Sequence, residues 1–175
     1  MKYPKINTLW KREGKEKQGV IIENDFSLPE FEAIKLFEVT EKINGRNTRI
    51  TYDTESNTIK FDGRGENSQI PSSLISYLIS TFTTEKLADI SPESHIITLF
   101  GEGYGPRMAH GSGKYRSDVS FALFDINIDG WWLKHPDITD IARKLSISCV
   151  PYIGTLDIPS IVSYIKSKPQ SVITT

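Results

Sequence analysis

His95-Ile96-Ile97-Thr98-Leu99-Phe100-Gly101-Glu102-Gly103-Tyr104-Gly105 is an apolar run that ends in alternating glycines. Read as a dinucleotide turn, it would open a doubly wound parallel sheet. That motif needs a further glycine at 106 and a helix after it. Pro106 stands there instead. The run therefore reads as a strand whose glycines let backbone or ligand approach closely. Gly111-Ser112-Gly113-Lys114, just beyond, resembles the tail of a P-loop. A P-loop would need Gly at 108 and Ser or Thr at 115, and the chain has Met108 and Tyr115. Neither nucleotide fold built on a parallel sheet is supported.

Short, mixed elements extend to both sides. Ser27-Leu28-Pro29-Glu30 has the form of a capping box and predicts a helix over 29–36. Residues 37–43 read as a strand entering a turn at Asn44-Gly45. Residues 47–52 and 58–61 read as a hairpin joined by polar residues. Leu74, Ile75, Leu78, Ile79 and Phe82 recur at helical spacing and predict a helix over 71–82. Residues 119–126 suit a strand covered on both faces. Asn127-Ile128-Asp129-Gly130 is a tight turn, and Trp131-Trp132-Leu133 returns antiparallel. Helices over 136–145 and 159–166 start at prolines, with a strand around 148–152 between them. Hairpins and helices intersperse without a βαβα rhythm. That predicts an α+β fold of antiparallel sheets flanked by helices.

Composition narrows the class. The chain has 175 residues, 38% of them hydrophobic and 25% charged, with a net charge of −1. One domain over 1–175, with a core that needs no staples, is expected. Disorder, a disulfide scaffold (Cys149 is alone) and a membrane span are all excluded. The N-terminus lacks the apolar stretch of a secretory signal, so a cytoplasmic protein is expected. Residues 1–20 hold six Lys/Arg against Glu13 and Glu16. Such a leader attracts phosphates or is simply solvated.

The chemistry lies in Glu41-Lys42-Ile43-Asn44-Gly45-Arg46-Asn47. A lysine at the end of an apolar strand is partly desolvated, and Arg46, Arg49 or Arg64 nearby would lower its pKa further. The neutral amine is a nucleophile for a carbonyl or a phosphoryl group. Taken singly, Lys42 is also a plain turn lysine, Arg64 a surface arginine, Glu102 a loop carboxylate and Phe121 a core ring. Their order is what carries information. Lys42 is followed by Arg64 in Phe61-Asp62-Gly63-Arg64-Gly65, then by Glu102 in its glycine run, then by Ser120-Phe121-Ala122-Leu123-Phe124-Asp125-Ile126.

With Tyr3-Pro4-Lys5-Ile6-Asn7 ahead of it, this order resembles the covalent nucleotidyltransferases, and among them the phage-type ATP-dependent RNA ligases. The resemblance covers about residues 3–126. It implies the ligase adenylation-domain fold, ATP-grasp-like in architecture, and a three-step reaction. Lysine takes AMP from ATP, AMP passes to an RNA 5′-phosphate, and a 3′-OH seals the strand in RNA repair. It further implies Lys42 as nucleophile, Gly45 as the turn glycine, and a nucleotide site of Glu41, Lys42, Asn47, Arg64, Glu102 and Phe121. Phe121 would stack on adenine. Glu102 would face the ribose and Mg²⁺, directly or through water. ATP and Mg²⁺ are the implied cofactors, and RNA ends the implied partners.

Physical chemistry is compatible with these roles. Phosphoryl transfer needs positioning and charge neutralisation, and Arg64 offers a fork for phosphate oxygens. Arg46 and Asn44 depart from the commoner family residues. The family's later motifs, a Glu-Gly-x-Val type and a Lys-x-Lys type, are missing; Lys166-Ser167-Lys168 fits the letters of the second without the first before it. The chain is thus expected to be truncated at its C-terminal side, with a missing segment or partner chain to complete it. A catalytically incomplete nucleotide- or RNA-binding module of the same fold is the alternative, and a DNA ligase adenylation domain the nearest rival within the class. Trp131 and Trp132 read as one core and one surface residue. Lys114, Tyr115 and Arg116 read either as a basic RNA contact or as solvated. His95 and His135 have no partner at zinc spacing.

Overall fold

The computed structural model describes residues 1–14, 19–65 and 68–173. Lys15 and Lys17 of the basic leader lie outside the described residues. In chain order the elements are β1 (Trp10–Glu13), β2 (Val20–Phe26), α1 (Glu30–Ala33), β3 (Phe37–Thr40), β4 (Arg46–Asp53), β5 (Thr58–Gly63), α2 (Ser72–Thr81), α3 (Thr84–Ala88), β6 (Ile96–Tyr104), β7 (Ser120–Ile128), β8 (Trp131–Trp132), α4 (His135–Leu145), β9 (Ser148–Cys149), β10 (Tyr152–Leu156) and α5 (Ile158–Lys166). They divide into two compact units. The first takes residues 1–3, 41–151 and those from 171 onward; the second takes 4–40 and 152–170. No helix among the described residues is long and apolar enough to cross a membrane.

The first unit is built on a sheet of order β5-β4-β6-β7-β8, with β9 joined to β7. All its neighbours are antiparallel except β7 with β9. The class expected from the sequence, α+β with antiparallel sheets and flanking helices, is the one observed. Residues of β4 alternate between buried and half-buried, as a strand with one covered face should. β6 is buried along almost its whole length, because it is central and covered on both sides. Leu74 and Leu78 of α2, with Phe82 just beyond, bring one helical stripe onto the sheet. Ile138, Ile141, Ala142 and Leu145 of α4 do the same. These residues join Ile50, Leu99, Met108, Phe121, Leu123 and Ile126 in the main core.

Two turns set strand order. Asp129 and Gly130 both have positive φ, 48° and 94°, as a two-residue hairpin from β7 to β8 requires. The Asp129 carboxylate also accepts the N–H groups of His95 and Ile96 at 3.0 and 2.7 Å, fixing the entry to β6. Asn57 (φ 51°) closes the turn from β4 to β5, its side chain accepting from the Tyr52 hydroxyl at 2.9 Å.

The second unit contains two two-stranded sheets, β1-β2 and β10-β3, with α1 and α5. Trp10 stacks on Phe26, and Lys166 pairs with Glu23 at 2.9 Å, so Lys166 is engaged within its own unit.

Several boundaries differ from those read in the sequence. The helix placed at 29–36 is one turn, Glu30–Ala33. The strand placed at 37–43 stops at Thr40. The strand placed around 148–152 is two strands, β9 on β7 and β10 on β3, because they serve different sheets. The hairpin of β1 and β2 gave no sequence signal, since nearly every residue in it is exposed and no burial alternation marks it. Trp131 and Trp132 are both exposed, at 79% and 43%, correcting the expectation that one would be core.

Phe121 is fully buried, edge-to-face with Phe82 at 5.6 Å. Phe121→Ala should therefore cost about 3–5 kcal/mol in urea unfolding, the range for deleting a core ring. A loss below about 1 kcal/mol would show the ring to be outside the core.

Candidate functional site

Residues 41–45 belong to no strand or helix, yet the turn is held on both sides of Lys42. The Glu41 N–H donates to the Pro151 carbonyl at 2.9 Å. Ile43 is buried in a second apolar cluster with Tyr104, Ala122 and Val150. The Asn44 N–H donates to the Tyr115 hydroxyl at 3.2 Å, and Asn44 Nδ2 to the His110 carbonyl at 2.8 Å. A Cβ on Gly45 would lie 2.1 Å from the Gly103 carbonyl oxygen. Glycine is thus required there by the close approach of the turn to β6. Lys42 sits between these anchors, and its side chain is exposed. That corrects the expectation of a partly desolvated lysine: Ile43 next to it is buried and the lysine is not.

Alternation along β6 decides what surrounds it. Gly101 and Gly103 turn toward α2 and the core. A Cβ at 101 would fall 2.1 Å from the Phe121 ring, and one at 103 would fall 2.3 Å from Leu74. Glu102 and Tyr104 then face the opposite side of the sheet. Asn47 lies directly across from Glu102 on β4, and Ala122 directly across on β7. Burial pushes the Glu102 carboxyl up to about 7. The charge of Lys42, the Gly45 N–H and the charge of Arg64 each draw it part of the way down. Lys42, Arg64, Asn47 and Glu102, expected to act together, are thus brought to one place. Arg64 is exposed just past the end of β5.

Two expected residues stand elsewhere. Phe121 pairs with Gly103 and points into the core, so it presents no face to a ligand. The register of β6 on β7 shifts between Phe100 and Gly101, leaving Phe124 as an extra residue. Such a bulge re-aims a side chain. Phe124 lands on the Glu102 side, packed with the second cluster and edge-on to Tyr3 at 5.0 Å. The Glu41 carboxylate accepts from the Ser171 hydroxyl and from the Val172 N–H, the latter at 3.2 Å. It is therefore engaged by the chain's own backbone rather than directed at the lysine turn.

Sequence reasoning assigned no role to the residues that floor this side, although Tyr3 and Asp125 lie within the quoted motifs. Tyr3 packs against Phe100, Phe124 and Trp132, and its hydroxyl donates to Asp125. Burial raises the pKa values of both Asp125 and Tyr3. Arg49 donates to the Met1 carbonyl and pairs with Asp62 at 3.0 Å. An open groove of about 600 Å³ borders Arg46, lined also by Gln69, Ile70, Pro71 and Ser72. It does not include Lys42, Arg64 or Glu102, where the charges converge.

Among the described residues, no group of three or more His, Cys, Asp or Glu could hold a metal ion. Glu102 is the carboxylate available at this place. One carboxylate suits Mg²⁺, which keeps several waters and takes its other ligands from substrate phosphates.

The family model described as RNA ligase matches residues 35–169. No curated protein matches the chain in sequence. Among solved structures, a Naegleria gruberi RNA ligase mutant with ATP and Mn is similar over 99% of this chain and 55% of that one, at 18% identity and a TM-score of 0.66. Naegleria gruberi RNA ligase with PPi is similar over 98% of this chain and 55% of that one, at 18% identity and a TM-score of 0.65. A mutant with AMP and Mn is similar over 74% and 40%, at 20% identity and a TM-score of 0.60. The fold is shared, and the chain spans about half the length of the ligases it matches.

The Glu102 shift has a sign that can be tested. Between its ordinary 4.5 and its folded value of about 7, the folded chain holds a proton the unfolded chain has lost. Its contribution to stability is complete below 4.5 and declines as pH rises toward 7. Urea unfolding across that window should show Glu102→Gln gaining on wild type as pH rises. A constant difference between the two proteins would contradict the assignment.

Proposed function

The chain belongs to the RNA ligase family, and from that membership we propose that it carries the adenylyl-accepting site of an ATP-dependent RNA ligase. The observation that supports this most is the convergence of Lys42, Arg64 and Asn47 around the half-buried Glu102. Nζ of Lys42, once deprotonated, attacks the α-phosphorus of ATP. An N–P bond forms, the bond from that phosphorus to the bridging oxygen breaks, and pyrophosphate leaves. The lysyl-bound AMP passes to an RNA 5′-phosphate, and a 3′-OH then displaces it.

Each residue has a physical task. Arg64 spreads positive charge over phosphate oxygens and can engage two of them at once. Asn47, half-buried opposite Glu102, offers amide hydrogens to the same oxygens. Glu102 holds its carboxylate toward the ribose hydroxyls or a metal-bound water. With a pKa pushed up to about 7, it can gain or lose a proton beside Lys42 near neutral pH. Glu102 would help to hold Mg²⁺, which would supply positive charge against the triphosphate. Phe124 takes the stacking role first assigned to Phe121, because it is the β7 ring on the Glu102 side. Glu41 keeps its place beside the lysine through its backbone.

The exposure of Lys42 favours a second reading, a nucleotide-binding module that does not turn over. One experiment separates them. The chain is incubated with α-labelled ATP and Mg²⁺, then run on a denaturing gel. Label retained by wild type and lost in Lys42→Ala supports the ligase site; no label on wild type favours the module. Phe124→Ala should weaken ATP binding by about 1–3 kcal/mol, or roughly fivefold to 150-fold. An unchanged ATP affinity would remove Phe124 from the site.

A further inference from the structure

We infer that Tyr115 is a positioning residue for Lys42, acting through the backbone of Asn44; the inference rests on the proposed role of Lys42. Tyr115 lies 71 residues from Asn44 in the chain, on the loop between β6 and β7. Its hydroxyl is the acceptor for the Asn44 N–H at 3.2 Å. The His110 carbonyl, on the same loop, accepts from the Asn44 side chain at 2.8 Å. Two bonds from one loop thus hold the residue two positions beyond Lys42.

The loop is stiff enough to serve as a post. The Ser112 side chain is fully buried, donates to the Gly105 carbonyl at 2.6 Å and accepts the Ala109 N–H at 2.8 Å. Residues 112–114 form a single tight helical turn, closed by the Tyr115 N–H on the Ser112 carbonyl at 3.3 Å. The Tyr115 ring meets Tyr104 edge-on, with centroids 5.9 Å apart. Tyr104 is buried, stands two residues beyond Glu102 on β6, and shares its cluster with Ile43. The lysine turn and the strand carrying Glu102 are thereby referred to one rigid pair of tyrosines. An exposed lysine needs such a support, because a backbone shift of about 1 Å can cost a hundredfold in rate.

Tyr115→Phe keeps the ring on Tyr104 and removes only the acceptor. Two readouts apply to it. Hydrogen exchange of the Asn44 amide, followed by NMR, should quicken about threefold to tenfold, the span of one modest hydrogen bond. Lysyl-AMP formation at saturating ATP should slow by a similar factor, while the apparent KM for ATP stays within about twofold. Tyr115→Leu, which also strips the ring contact, should slow the reaction further and lower the melting temperature. Unchanged exchange at Asn44, an unchanged rate, or a rise in KM that accounts for the whole loss would each overturn the inference. If wild type forms no lysyl-AMP, the proposed function falls, and exchange at Asn44 still judges the tether.

Discussion

Positions 101 and 103 on the central strand have no room for a side chain. The Phe121 ring fills the space at one and Leu74 the space at the other. That closure seats Leu74 of α2 and the Phe121 ring over a single face of β6. Strand parity then leaves Glu102 and Tyr104 no choice but the opposite face. Everything else at the site refers to those two residues. Glu102 gathers Lys42, Arg64 and the Gly45 N–H, and Tyr104 supports Ile43 and Tyr115. The glycines at 101 and 103, expected to let backbone or ligand approach closely, make room for core side chains, and their effect on chemistry is indirect.

The arrangement separates rigidity from freedom. The backbone around Lys42 is fixed at 41, 43, 44 and 45, while the four-carbon side chain keeps its rotamers. A long flexible side chain loses up to about 2 kcal/mol of entropy when ordered. Holding the main chain beforehand leaves only that side-chain cost to be met when the lysine is ordered. Glu102 shows the opposite treatment: its carboxyl is desolvated in advance and therefore responsive to any cation that arrives.

Much of this was legible in the sequence, and the failures have definite physical causes. The hairpin of β4 and β5, the helices α2 and α4, and strands β6 and β7 follow from periodicity, prolines and turn residues. The grouping of Lys42, Asn47, Arg64 and Glu102 follows from motif order. Phe121 was given the stacking role by motif order, which does not say which face of β7 a ring occupies. Phe121 and Phe124 lie three residues apart, so alternation puts them on opposite faces, and Phe124 shares the face of Ala122, which lies across from Glu102. The tether from Tyr115 to Asn44 joins residues too far apart in the chain for any local pattern to register. The strand after Lys35 was overextended because Ile43 is apolar, yet it is buried in a turn rather than in a ladder.

The first three residues have a practical meaning for anyone handling the protein. The Met1 carbonyl is stitched to Arg49, and the Tyr3 ring lies across Phe100, Phe124 and Trp132 on the side of the sheet that carries Glu102. An affinity handle or fusion joined ahead of Met1 would set out from that same surface, crowding the Glu102 side of the sheet and pulling on the aromatic floor. Purification handles are better placed elsewhere.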